Sequence, residues 1–326
     1  MAVYTQLGAE AMALIIAEFG VGELVSAKGI AEGVSNSNWL VETTGSGGEG
    51  ARFILTMYEH RVDAQDLPFF LGLLDHLAER GCPVPRTIHD RDNRPFRFHD
   101  GKALALIEFL SGVSVSEPTA AQARAVGAAL AQVHLAAAHF PEHRANGLGL
   151  KVWQELAQAC GAQGLASIHP ELPALVEREL ARLARHWPAD LPRSVIHADL
   201  FPDNVLMLGE RVSGLIDFYF ACEDITAYDV AVTHAAWCFD AGGLRFDPEL
   251  SAALLAGYES VRTLSGEEKA ALPLLAQGAA MRFLMTRAYD WMNTPADALV
   301  TRKDPMAFAR RLEFYADPAN VAIFAS

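Results

Sequence analysis

Val195-Ile196-His197-Ala198-Asp199-Leu200-Phe201-Pro202-Asp203-Asn204-Val205-Leu206-Met207-Leu208-Gly209-Glu210-Arg211-Val212-Ser213-Gly214-Leu215-Ile216-Asp217-Phe218 is the stretch around which the rest of the chain is read. Three polar residues stand in it against strongly apolar sequence: Asp199, Asn204 and Asp217. Val195–Ile196 reads as a short buried strand running into a loop. Val205–Leu208 and Val212–Ile216 read as two further strands joined by a turn at Gly209-Glu210. An antiparallel hairpin brings its open ends together, so Asn204 and Asp217 are expected close in space, with Asp199 on the loop that leads in.

Such a set suits phosphoryl transfer, which asks little covalent work of a protein. It needs metal ions across the phosphates, oxygen ligands to hold them and a carboxylate beside the attacking hydroxyl. Asn204 and Asp217 offer hard oxygens for Mg²⁺. Asp199 is placed to take the proton of an alcohol, and His197 to brace the loop by hydrogen bonding. The spacing matches the protein-kinase pattern His-Arg-Asp-x-x-x-x-Asn followed by Asp-Phe-Gly. Here it reads His197-Ala198-Asp199 to Asn204, then Asp217-Phe218, with Tyr219 in place of the glycine. An isolated Asp-x-x-x-x-Asn pair is ordinary loop capping. The histidine, the hairpin and the second aspartate in order carry the functional reading.

His197 to Asn204 together with Ile216-Asp217-Phe218 resembles the signature of the aminoglycoside phosphotransferase and choline kinase-like superfamily. Gly33 to Trp39, Phe53 to Glu59, Asp66 to Phe70 and Arg287 to Trp291 are similar to the bacterial homoserine kinases of that superfamily. The likeness runs from about Gly33 to about Asp304. It implies an α+β, two-lobed, protein-kinase-like fold. A small antiparallel-sheet lobe is expected over 1–111, and a larger, mostly helical lobe over 112–326. It implies ATP and Mg²⁺ as cofactors and a small primary alcohol as acceptor, L-homoserine becoming O-phospho-L-homoserine for threonine synthesis.

The same resemblance places the nucleotide loop at residues 33–38, with Ser35, Asn36 and Asn38 as donors. It puts Thr56 where the superfamily usually has Lys or Arg, so charge is missing there unless Arg61 supplies it. No glutamate stands early in the following helix, where Asp63 and Asp66 are the nearest acids, and the usual lysine–glutamate pair is left unassigned. Glu108 to Leu110 becomes the hinge whose backbone groups read the adenine edge. For homoserine, Arg282 and Arg287 are candidates for the carboxylate and Asp290 for the ammonium. A salt-bridge network anchoring the last helices is the alternative for these three. Two other functional readings stand beside this one: a kinase of choline, an aminoglycoside or a sugar, and a non-catalytic nucleotide-binding pseudokinase motivated by Thr56.

Bulk properties agree with a soluble enzyme. The chain has 326 residues, 51% hydrophobic and 20% charged, enough for two lobes. A net charge of −14 argues against nucleic acid or an anionic membrane as partner. No basic-then-apolar leader opens the chain and no apolar run approaches the ~20 residues of a membrane span. Cys82, Cys160, Cys222 and Cys238 form no Cys-x-x-Cys pair and read as reduced thiols in a cytoplasmic protein. No obligate protein partner is evident.

Periodicity predicts helices over 9–19, 66–80, 118–138, 152–160, 172–187, 230–239, 248–260, 267–275, 276–291 and 306–314. Gly127 within the third of these permits close helix packing. His134 reads as a core histidine. Glu223 to Asp229 reads as an acidic loop, with Asp224 and Asp229 as caps or braces of the central loop.

Overall fold

The computed structural model describes residues 5–30, 36–59, 63–294 and 302–324. Contacts divide the chain into two units: Met1–Gly112 with Ser213–Tyr219, and Val113–Val212 with Phe220–Ser326. The segment Ser213–Tyr219, which holds Asp217, groups with the first unit.

The first unit begins with α1 (Ala9–Ala17), which stops before Gly20 and Gly22, both at positive φ. Three strands follow: β1 (Leu24–Ile30), β2 (Asn36–Thr43) and β3 (Ala51–Tyr58). Next come α2 (Leu67–Glu79), β4 (Thr87–Ile88), β5 (Arg97–His99) and β6 (Lys102–Glu108). The strands run β1-β2-β3-β6-β4, all pairs antiparallel, with β5 also on β6. Strand alternation separates two cores. Leu55, Met57, Leu104 and Leu106 face Met12, Ile15 and Ile16 of α1. Tyr58, Ala103, Ala105 and Ile107 face Leu67 and Leu71 of α2.

In the second unit, α3 (Ala120–Ala137) opens with a capping box between Thr119 and Gln122. It is followed by α4 (Leu150–Ile168), α5 (Leu172–His186), β7 (Arg193–Ile196) and β8 (Val205–Leu208). Then β9 (Arg211–Leu215), which crosses the unit boundary, pairs with β8 as a two-stranded ribbon, as expected. Gly209, at φ 63°, makes the turn. After it run β10 (Cys222–Ile225), α6 (Thr226–Trp237), α7 (Pro248–Glu259), α8 (Gly266–Asn293) and α9 (Met306–Ala316). Every residue of α6 is buried, which places this helix at the centre of the unit.

Three elements differ from the sequence expectation. Cys222–Ile225 is a strand paired antiparallel with β7, although Glu223 and Asp224 made it read as loop. The acidic side chains are spent locally, Asp224 accepting from Asn146 and pairing with Arg193. The two expected helices 267–275 and 276–291 are one, and Pro273 lies inside it. Leu272, Leu275, Ala276, Ala279 and Ala280 are all fully buried around the proline, so packing outweighs the lost backbone bond. Helix α4 runs on past Cys160 through a non-helical Gly161.

Gly127 packs as expected. A Cβ there would lie 2.1 Å from the Leu254 carbonyl oxygen of α7, and one on Gly257 would lie 2.0 Å from that of Arg124 on α3. The two helices therefore touch backbone to backbone. Gly127→Ala is expected to cost about 1–3 kcal/mol or more by overpacking. Urea denaturation checks this; an unchanged midpoint would mean that the helices can separate freely.

Candidate active site

The loop from His197 to Asn204 is held from beneath. The Asp229 carboxylate, fully buried on α6, accepts from two backbone N–H groups: His197 N at 2.7 Å and Ala198 N at 2.8 Å. Its Oδ2 also meets His134 Nε2 at 3.0 Å, and His134 Nδ1 lies 2.8 Å from the Tyr258 hydroxyl. Burial pushes the Asp229 carboxyl up, but the His134 hydrogen bond, the charges of His134 and His197 and the His197 N–H reverse this and leave it below its ordinary value. Ala198 sits at φ 64°, a conformation that costs an alanine about 1–2 kcal/mol. It is fixed from both sides, by Asp229 at its N–H and by the Arg282 guanidinium, which donates to its carbonyl oxygen.

Two further loop carbonyls are also satisfied. Asp199 O accepts from Asn204 Nδ2 at 2.8 Å and from Phe201 N at 2.9 Å. Leu200 O accepts from Trp237 Nε1 at 2.9 Å. His197 braces the loop as expected, its Nδ1 accepting from Asp199 N at 3.2 Å. The Asn204 amide thus turns its nitrogen inward and spends none of its oxygen on the loop.

Asp199 is partly buried. Burial raises its pKa; the charges of Arg282, His197 and Lys303 offset part of the rise. Arg282, 2% exposed, stacks against Phe283, its Cζ 4.6 Å from the ring centre. Arg287 lies over Phe308 at 4.5 Å and donates to Asp304 O at 3.2 Å. Burial and the charge of Arg311 lower its pKa to about 10, against the pull of Asp304, Asp199 and Asp203, so it stays charged at neutral pH. Lys303 stands 5.7 Å from the Phe201 ring. Asp290 is exposed further along α8. Sequence reading missed Lys303, because only the packing of α8 and α9 brings it toward Asp199.

In the first unit, Asp217 is exposed at φ 66°. Leu215 N donates to Pro83 O at 2.7 Å just before it, and Phe218 is buried just after. Asn38, Thr56 and Tyr58 lie on the α2 face of the sheet. Thr56 Oγ1 donates to Asn38 Oδ1 at 2.8 Å. Asn36, opposite Tyr58 on that face, is 5% exposed, and its Oδ1 has no partner among the described residues. Lys28, opposite Leu40, belongs to the same face by register. Ser35 and Arg61 lie outside the described residues. A lysine–glutamate pair does exist: Lys102 Nζ is 2.5 Å from Glu59 Oε2, and Ser37 Oγ donates to Glu59 Oε1 at 2.7 Å. Lys102 shares parity with Leu104 and Leu106, so this pair caps the α1 core on the side away from Thr56. At the strand end Glu108 donates its N–H to Arg86 O and accepts Arg86 N on its side chain. Leu110 follows beyond the end of β6.

Asp229→Ala leaves two loop N–H groups and the Nε2 of buried His134 without their partner, and is expected to cost about 3–5 kcal/mol. Because the native state holds this carboxyl below its ordinary 3.8, its stabilisation is complete above that value and is lost as pH falls through the native one. Denaturant titrations at pH 7 and at acid pH check both: the difference between wild type and variant should shrink on acidification. A constant difference would mean that the carboxylate charge plays no part.

The comparisons bear on the whole chain. The phosphotransferase enzyme family matches residues 26–270. Homoserine kinase of Azorhizobium caulinodans is 50% identical over 315 residues, covering 97% of this chain and 96% of that one. Homoserine kinase of Gluconacetobacter diazotrophicus is 50% identical over 326 residues, covering 99% of each. Among solved structures, spectinomycin phosphotransferase with ADP and spectinomycin superposes with a TM-score of 0.69 at 15% identity over 98% of both chains. Amicoumacin kinase with an ATP analogue, Ca²⁺ and its substrate superposes at 0.68 and 14% identity, covering 95% of this chain and 94% of that one. The fold is therefore the kinase-like one that the resemblance implies, and the chain belongs to the phosphotransferase enzyme family, in the branch represented by the bacterial homoserine kinases.

Proposed function

We infer that the protein transfers the γ-phosphoryl group of ATP to the side-chain hydroxyl of L-homoserine, giving O-phospho-L-homoserine and ADP. The observation that carries the acceptor is the 50% identity to homoserine kinases over nearly the full chain. The observation that carries the chemistry is the braced loop that presents Asp199 with a raised pKa among cations.

Asp199 takes the hydroxyl proton as the alcohol oxygen bonds to the γ-phosphorus and the bond to ADP breaks. A carboxylate whose pKa is raised is the better acceptor of that proton near neutral pH. His197 and Asp229 hold the loop, and Arg282 supports it through the Ala198 carbonyl. With Arg282 so engaged, Arg287 is the better candidate for the substrate carboxylate, with Lys303 beside it and Asp290 for the ammonium. Asn36, Asn38, Thr56, Glu108 and Leu110 are the nucleotide candidates on the first unit, and Lys28 is a cation on the face of Thr56.

Asn204 and Asp217 fit Mg²⁺ by donor chemistry. One amide oxygen and one carboxylate are hard ligands, and phosphate oxygens and water complete such a site. Among the described residues no cluster of three His, Cys, Asp or Glu forms a cage of its own. When bound, the ion neutralises charge across the phosphates.

A coupled ADP-release assay with homoserine, choline, serine, threonine and an aminoglycoside tests the reading, with turnover expected on homoserine; strong turnover on choline or the aminoglycoside alone would overturn the acceptor. Asp199→Asn is expected to leave ATP binding nearly intact while kcat falls by ~10²–10⁴. Unchanged turnover would remove Asp199 from the chemistry. In the pH profile, the acid limb of kcat should lie above the ordinary carboxyl value of 3.8, since the base must be ionised and its pKa is raised. Asp217→Ala should lose Mg²⁺-dependent nucleotide binding; tight binding by that variant would contradict the ligand assignment.

A further inference from the structure

Tyr219 stands where kinases of this pattern carry glycine, and it is tied to the sheet. Its ring meets Tyr58 edge-on at 5.4 Å and Phe70 edge-on at 5.7 Å. Its hydroxyl lies 3.0 Å from that of Tyr58, which is 3% exposed, so the two hydroxyls share one hydrogen bond. Thr56 Oγ1, on the same face, donates to Asn38 Oδ1 at 2.8 Å.

We propose that this neutral anchor, the Tyr58–Tyr219 hydroxyl pair with the Phe70 ring against it, makes Tyr219 a positioning residue that presets the Asp217 turn for its metal. The turn is fixed on both sides. Leu215 N is bonded to Pro83 O before Asp217, and Phe218 is buried and Tyr219 anchored after it. Asp217 itself is exposed at φ 66°, a conformation that neighbours must impose on an aspartate. A glycine at position 219 would leave the segment free to swing. A tyrosine bound through its hydroxyl removes that freedom, so the carboxylate is offered in one arrangement before nucleotide arrives, and binding need not order it. The proposal rests on the reading of Asp217 as a metal ligand and adds how that ligand is held.

Tyr219→Phe and Tyr58→Phe keep the rings and delete the hydroxyls. Binding of a non-hydrolysable ATP analogue is titrated with Mg²⁺ by calorimetry, and amide exchange at residues 217–219 is followed in the unliganded protein. The apparent Mg²⁺ affinity of Tyr219→Phe should fall about three- to tenfold, the worth of one net hydrogen bond. Exchange at 217–219 should quicken while the thermal midpoint stays within a few degrees. Tyr58→Phe deletes the same hydrogen bond from its other side and should show the same changes. Wild-type Mg²⁺ affinity and wild-type protection in Tyr219→Phe would overturn the proposal and leave ring packing as the whole role. Absence of Mg²⁺-dependent binding in the wild type itself would instead overturn the metal reading, and the proposal with it.

Discussion

One buried carboxylate governs the geometry of the candidate site. Asp229 takes two successive backbone N–H groups, from His197 and Ala198, while His134 and then Tyr258 stand behind it. A charge buried without partners is prohibitively costly, whereas one that accepts two backbone bonds and a histidine is specific as well as stable. The loop therefore cannot slide along its own backbone without exposing Asp229 to an unsatisfied interior. Ala198 is held in a left-handed conformation between Asp229 and Arg282, directly before Asp199.

The same logic recurs just after β9 in a different currency. Asp217 also sits at positive φ, but the groups that hold its turn are neutral. Tyr58 pairs with Tyr219 through their hydroxyls and Thr56 donates to Asn38, all on the α2 face of the sheet. One ion pair of that unit, Lys102 with Glu59, lies on the other face and caps the α1 core with Ser37.

Much of this was legible in the sequence. The apolar strands around Asp199 and Asn204, the Gly209 turn and the order of the three polar residues each follow from local chemistry, and the ribbon formed as read. His134 was readable as a core histidine from the apolar helix around it, and Asp229 as a brace by residue type, although the sequence reading left Asp229 in a loop and it lies inside α6. Other features were not, for physical reasons. Cys222–Ile225 became a strand despite its acids because Asn146 and Arg193 satisfy Asp224 from elsewhere. Pro273 was absorbed into α8 because burial on both sides of it outweighs one missing hydrogen bond. Arg282 read as a candidate substrate contact; that it is 2% exposed and donates to the Ala198 carbonyl was not readable, and Lys303 gained relevance only through tertiary packing. Pairings of that kind depend on distance in space, which periodicity does not encode.

The central claim is that a loop braced by Asp229 presents Asp199 to an amino-acid alcohol for phosphoryl transfer. Incubation with γ-³²P-labelled ATP and L-homoserine, followed by identification of the labelled product, tests it most directly. The account predicts label in an acid-stable phosphate monoester on the homoserine side-chain oxygen, formed in step with ADP. Label released only as inorganic phosphate, or carried on the amino or carboxyl group, would contradict it.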